Sequence, residues 1–235
     1  GHGSNLLVLD GGIRGLVMRC EMTDIKREGN RIRAGSGVML HSLAQEAASC
    51  GLDGLVFASG IPGTLGGAVT MNAGAYGGEM AQVVQSVRVL DMEGTEHVYR
   101  GGEMAFGYRR SRLQEEACVV TEVTCVLSEG CAEDLFKRME ELKQARMEKQ
   151  PLNFPSAGST FKRPEGAFAA RLIDQCGLRG TCVGGAQVSE KHAGFLLNRG
   201  GTSEDFLNLM ELVRKRVFEQ TGFLLENEVR ILGEP

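Results

Sequence analysis

The chain has 235 residues, enough for one large domain or two small ones around a real core. Hydrophobic residues make up 42% and charged residues 24%, which is ordinary globular usage, and the net charge of -4 argues against general attraction to nucleic acid or anionic membranes. No run of eighteen apolar residues is present, and no charged-then-apolar start with a cleavage site is read, so neither a membrane span nor secretion is expected. The seven cysteines (20, 50, 118, 125, 131, 176 and 182) are odd in number and show no C-x-x-C spacing. A disulfide framework or metal site is therefore not expected, and a reducing cytoplasm fits best.

In chain order, residues 5–9 read as a buried strand preceded by a turn at 1–4. Residues 13–19 and 31–34 read as further strands, punctuated by Gly11-Gly12 and Gly29-Asn30. Leu40, Leu43, Ala44 and Ala47 recur at helical spacing across 38–50, and Gly51 is a natural stop. Residues 83–90 and 96–99 flank Asp91-Met92-Glu93-Gly94 as a hairpin, and 119–127 forms another strand. From about residue 130 the texture changes. Residues 132–149 form a charged helix with Leu135, Met139 and Leu142 on one face, and 151–164 is a loop holding three of the five prolines. A helix at 167–176, a strand at 194–198, a helix capped by Thr202 with Phe206, Met210, Val213 and Val217 inward, and a strand at 228–232 complete the chain. The expected organisation is two domains, 1–130 and 131–235. The abrupt start inside a strand suggests that an N-terminal segment precedes residue 1.

Glycine is the compositional outlier, 33 of 235, about twice the usual share. Seven glycines fall in residues 60–78, where average usage gives roughly one. Phosphates bind without side-chain charge where backbone N–H groups converge, and Cβ atoms would block that approach. Neither the P-loop pattern nor the Rossmann fingerprint occurs, since Gly35-Ser36-Gly37 lacks the third glycine. Tyr108-Arg109-Arg110-Ser111-Arg112 packs three arginines into four positions, as either a solvated basic face or an anion clamp. Ser156-Ala157-Gly158-Ser159-Thr160-Phe161-Lys162-Arg163 sets hydroxyls beside two cations; on residue types alone an ordinary loop is favoured over a proton-donating one. His192 follows a Gly184-Gly185 pair, and a lone histidine is more often structural than catalytic.

Together these segments resemble one family, the UDP-N-acetylenolpyruvoylglucosamine reductases (UDP-N-acetylmuramate dehydrogenases) of bacterial peptidoglycan synthesis. The blocks that carry the resemblance are GHGSNLL, GIPGTLGGAVTMNAGAYGGE, FGYRRS, PSAGSTFKRPEG, GGAQVSEKHAGF and ENEVRILG, spread over residues 1–233. The lack of an insertion after FGYRRS looks like the shorter family type. The resemblance implies an α+β fold: an FAD-binding domain of the vanillyl-alcohol-oxidase-like class, followed by an α+β substrate domain. It implies FAD as cofactor, NADPH as co-substrate, and a UDP-sugar enolpyruvate as substrate, with the chain expected to be a monomer. The catalytic roles implied are Arg109 stabilising the enolate-like charge, Ser159 giving the proton, and Glu228 orienting the carboxylate through a shared proton. The FAD contacts implied are Gly1, Gly3, Ser4, Asn5 and Leu6 in a first loop, then Gly60, Ile61, Pro62, Gly63, Gly66, Gly67 and Ala68 in a second. Asn72, Ala73, Gly74 and Arg230 complete them. Tyr108, Lys149, Lys162, Arg163 and His192 are the implied substrate contacts.

Two departures from the family pattern stand out. Asn227 replaces the usual Pro before Glu228-Val229-Arg230, and Arg163 replaces a common Asn. Two alternatives stay open: an inactive chain that binds FAD weakly for want of its N-terminal part, or a related flavin oxidase tethering its cofactor through His2 or His41.

Overall fold

The computed structural model describes residues 2–235, and Gly1, a candidate phosphate-loop residue, lies outside them. The chain divides into two compact units: residues 18–146 with His2, and residues 3–17 with 147–235.

The first unit is built on a five-stranded antiparallel sheet. Its strand order is Ile25–Glu28, Arg31–Gly35, Cys118–Val126, Val84–Asp91 and Glu96–Arg100. Period-two alternation puts Ile32 and Ala34 inside while Arg31 and Arg33 face out. Helix α1 (Leu40–Ser49) lays Leu40, Leu43, Ala44, Ala47 and Ala48 into the same core. It stops where Gly51 takes a φ of +66°, the left-handed turn its sequence position predicts. Helix α2 (Leu65–Thr70) follows the glycine-rich loop. Helix α3 (Ala132–Lys149) contributes Leu135 and Met139 to this first core. The compact division therefore falls after Arg146, and not near 130, where composition shifts: the charged face of α3 changes the texture of the sequence before the packing changes.

The second unit joins the two ends of the chain. Leu6–Val8 pairs in parallel with Arg230–Leu232. A three-stranded antiparallel sheet runs Cys182–Val183, Ala186–Val188, Leu196–Asn198. Helices α4 (Ala169–Gln175) and α5 (Ser203–Thr221) pack with it around Phe161, Ile173, Val188, Leu209, Val213 and Leu225. Thr202 and Asp205 form a reciprocal capping box at the start of α5, and Gly222 at φ +75° ends it.

Two expectations are corrected. Residues 13–19 form no strand: Gly15 has a φ of +96°, which breaks extended backbone, and Leu16, Val17 and Met18 are exposed. The strand Ile25–Glu28 escapes a periodicity search because Lys26, Arg27 and Glu28 carry no apolar alternation. Its pairing comes from the tight turn at Gly29-Asn30, with Gly29 at φ +61°.

Candidate functional site

In the first unit the glycine-rich loop is laced to the segment that follows the Arg31–Gly35 strand. Leu65 N–H donates to the Val38 carbonyl (2.8 Å), Gly66 N–H to Ser36 (2.9 Å), and Leu40 N–H to Gly63 (3.0 Å). A Cβ on Gly66 would lie 2.8 Å from Cβ of buried Ser36, so only glycine allows this approach. Gly63 has a φ of +144°, again a glycine conformation. The Gly60 carbonyl accepts from the guanidinium of half-buried Arg146 on α3. Burial works against the Arg146 charge and lowers its pKa. The N–H of exposed Gly67 makes no main-chain hydrogen bond among the described residues.

Downstream, Asn72 is fully buried in a left-handed conformation (φ +41°). Its amide donates to the Gly107 carbonyl (2.9 Å), and its oxygen accepts from Ala81 N–H (2.9 Å). That clamp ties the 71–78 segment to the arginine segment. Ser111 Oγ adds a bond to the Thr70 carbonyl (2.7 Å). Gly74 is closed in, since an added Cβ would meet the Gly78 carbonyl at 2.6 Å. The three arginines have different fates. Arg110 pairs with Glu115, while Arg112 pairs with Glu116 and stacks on Tyr99 at 4.0 Å. Arg109, at φ +54°, donates to the Gly74 carbonyl (3.1 Å) and lies 5.2 Å over the ring of half-exposed Tyr108. Of the three arginines only Arg109 has a left-handed backbone, a conformation that costs energy in a non-glycine residue.

In the second unit the main chain of one residue, Thr160, organises the candidate residues. Thr160 N–H donates to the Gly194 carbonyl (2.9 Å), and the Thr160 carbonyl accepts from Glu228 N–H (2.8 Å). Ser159 is bridged to Phe195, and Phe161 to Asn227. Ser159 and Glu228 are thus set by neighbouring rungs of one irregular ladder. Asn5 completes it: its amide donates to the Glu228 carbonyl (3.1 Å), and its own carbonyl accepts from Arg230 N–H (2.9 Å). Gly3, Ser4, Asn5 and Leu6 therefore belong to this unit and not to the one carrying the second loop. Lys162 Nζ pairs with Glu226 (3.2 Å), Arg163 lies 4.5 Å over Phe168, and Lys149 is exposed at the end of α3. His192 is half-buried, and burial lowers its pKa.

Comparison with known proteins matches both ends of this arrangement. A profile for the C-terminal domain of UDP-N-acetylenolpyruvoylglucosamine reductase matches residues 150–232, and an FAD-binding-domain profile matches residues 1–99. The UDP-N-acetylenolpyruvoylglucosamine reductase of Clostridium botulinum (strain Okra) is 52% identical over 236 residues, covering 100% of this chain and 77% of that protein. The reductase of Clostridium tetani is 50% identical over the same span. The chain belongs to the UDP-N-acetylenolpyruvoylglucosamine reductase family. A crystal structure of this reductase from Thermus caldophilus superposes with a TM-score of 0.82 at 41% identity, covering 97% of this chain and 82% of that one.

Within this reductase family FAD is the cofactor, and the loop geometry suits it. Gly66 closes on Ser36 and Gly74 on Gly78, so an added Cβ at either would strike the chain's own neighbouring atoms and the main chain there is left bare. Family membership favours the reductase over the flavin-oxidase alternative; His41 holds the Ser59 carbonyl (3.0 Å). Sequence reasoning missed Arg146 and Ser36. Arg146 reads as one more charge on a charged helix, and Ser36 sits in a motif discarded for its missing glycine. A basic residue at the inner edge of an otherwise solvated helix face was the one available signal for Arg146.

Proposed function

We propose that this chain reduces the enolpyruvyl group of UDP-N-acetylglucosamine enolpyruvate to give UDP-N-acetylmuramate for peptidoglycan synthesis, with NADPH as the reductant. Bound FAD supplies the hydride. Its diphosphate would be held by Gly60, Ile61, Pro62, Gly63, Gly66, Gly67 and Ala68, with Gly3, Ser4, Asn5 and Leu6 as the other loop. Asn72, Ala73, Gly74 and Arg230 carry the remaining cofactor contacts.

Hydride arriving at the CH₂ carbon leaves negative charge on the carbon beside the carboxylate. Arg109 offers a fixed guanidinium to that charge, and its left-handed backbone and bond to the Gly74 carbonyl support the role. Ser159 donates the proton to that carbon, then regains one from solvent. Glu228 orients the carboxylate through a shared proton, since two bare carboxylates would repel. The observation that carries the reading is the single residue Thr160, whose N–H and C=O bond toward the Ser159 and Glu228 sides of the ladder. Tyr108, Lys149, Lys162 and Arg163 provide contacts for the diphosphate and carboxylate. A cytoplasmic, monomeric enzyme belongs to the same reading. Among the described residues no helix is long and apolar enough to cross a membrane.

Ser159→Ala tests the assignment. Flavin reduction by NADPH should survive, while reduction of the enolpyruvyl substrate falls by at least about a hundredfold. Loss of the first half-reaction, or full retention of the second, would remove Ser159 from the role.

A further inference from the structure

His192 lies in a tight turn closed on itself. Ser189 N–H donates to the Phe195 carbonyl (2.9 Å), and Phe195 N–H donates back to the His192 carbonyl (3.0 Å). Ser189 Oγ accepts from the N–H groups of Lys191 and His192 (3.2 Å each). Within this turn Nδ1 of His192 accepts the N–H of Gly194 at 3.2 Å. The ring stands edge-on to Phe195, with centroids 4.9 Å apart at 80°. A Cβ on Gly194 would sit 3.1 Å from the ring, so the imidazole rests directly on that glycine.

Gly194 and Phe195 are the residues on which the ladder hangs. The Gly194 carbonyl holds Thr160 N–H, Phe195 is bridged to Ser159, and the Thr160 carbonyl holds Glu228 N–H. A chain of short contacts therefore runs from the imidazole through the main chain of Gly194 to both candidate catalytic residues. None of these steps needs a charge on the ring. An imidazole nitrogen that accepts an N–H carries no proton, so the ring proton resides on Nε2.

We infer that His192 is a positioning residue: a neutral imidazole, protonated on Nε2, that fixes the Gly194-Phe195 rungs and through them the spacing of Ser159 and Glu228. Burial lowers the ring's pKa, a hydrogen bond to the main chain of His192 itself acts against it, and the charge of Arg179 again lowers it. Arg179 is itself tied to Asp174 and the Glu190 carbonyl, and Lys191 reaches the Met147 carbonyl. Helix α4 meets Gly194 through Ala170 and carries Arg171 and Asp174. This role is distinct from the substrate contact expected of His192, and it rests on the roles proposed for Ser159 and Glu228.

Two substitutions separate the readings. His192→Asn keeps an acceptor where Nδ1 stands, whereas His192→Gln keeps a polar atom nearer to Nε2. A positioning role predicts that His192→Gln lowers kcat about tenfold to a hundredfold with little change in KM. His192→Asn should lose less than about threefold in kcat. The reverse order with a raised KM, or equal losses, overturns the inference. A second measurement needs neither substrate nor a folded variant. Ring ¹⁵N shifts of the wild-type protein at neutral pH should report the neutral Nε2–H tautomer, and an imidazolium or an Nδ1–H tautomer overturns the inference. Should Ser159→Ala fail its own test while the tautomer is as expected, the functional reading falls and the clamp on Gly194 stands. Should Ser159→Ala behave as expected but the tautomer not, the clamp alone falls.

Discussion

Replacing Gly66 by Ala inserts one methyl group between α2 and the end of the Arg31–Gly35 strand. That carbon would lie 2.8 Å from Cβ of Ser36 and 3.2 Å from its carbonyl oxygen. Ser36 is 3% exposed, and its carbonyl is held by Gly66 itself, so the contact is with atoms that cannot swing aside. Overpacking of this kind costs about 1–3 kcal/mol. Helix propensity acts the other way, by ~1 kcal/mol for Ala over Gly in a helix interior. Gly66 is the second residue of a six-residue helix, where only part of that gain is realised. The net expectation is a destabilisation of about 1–2 kcal/mol. At about 2–4 °C per kcal/mol for a chain of this size, Tm should fall by about 2–8 °C. The same shift moves the loop, so the Kd for FAD, read by quenching of flavin fluorescence, should rise about tenfold. Gly102→Ala is the control: an added Cβ there meets no atom within 4 Å, and its effect should stay within about 0.5 kcal/mol. A Gly66→Ala protein that matches Gly102→Ala in both Tm and FAD affinity would refute the packing argument and the loop's role together.

Three further outcomes follow from the structure. Asn227 Oδ1 is buried and has no hydrogen-bond partner among the described residues, and its N–H makes no main-chain bond there, so Asn227→Pro removes an orphaned acceptor without breaking a main-chain bond. Thermal scans should show a Tm raised by about 1–4 °C, and a lowered Tm would contradict this. Asp205 accepts from Gly185 and Thr202 N–H groups, which hold its pKa below the ordinary aspartate value. Its contribution is complete above that ordinary value and is lost as pH falls through the lower folded value, so Asp205→Asn should flatten the acid limb of a stability–pH curve; parallel curves would count against it. Burial pushes the Cys125 thiol up to about 12, whereas Cys131 and Cys182 are exposed. Thiol reagents at neutral pH should label the exposed pair first and Cys125 only on unfolding, as peptide mapping would report.

Much of the fold was legible because its local signals agree. The α1 stripe ending at Gly51, the hairpin around Asp91 to Gly94, the span of α3, and Thr202 as the cap of α5 all depend on residues within one or two turns of one another. The strand Ile25–Glu28 was not legible, because pairing and not hydrophobic pattern makes it a strand.

The glycine-rich segment by itself pointed to a backbone phosphate cradle, and the motif blocks, through their resemblance to one family, implied the family, the cofactor class and the α+β architecture, while the residue types of the arginine and serine segments left their roles open. Tertiary structure alone decided the rest. It assigned residues 3–17 to the second unit, because Leu6–Val8 pairs with a strand more than two hundred residues away. It gave Arg109, alone of the three neighbouring arginines, a positive φ. It joined Ser159, Glu228 and His192 through the main chain of Thr160 and Gly194. Contacts between residues distant in the chain leave no periodicity, so one-dimensional patterning cannot carry them.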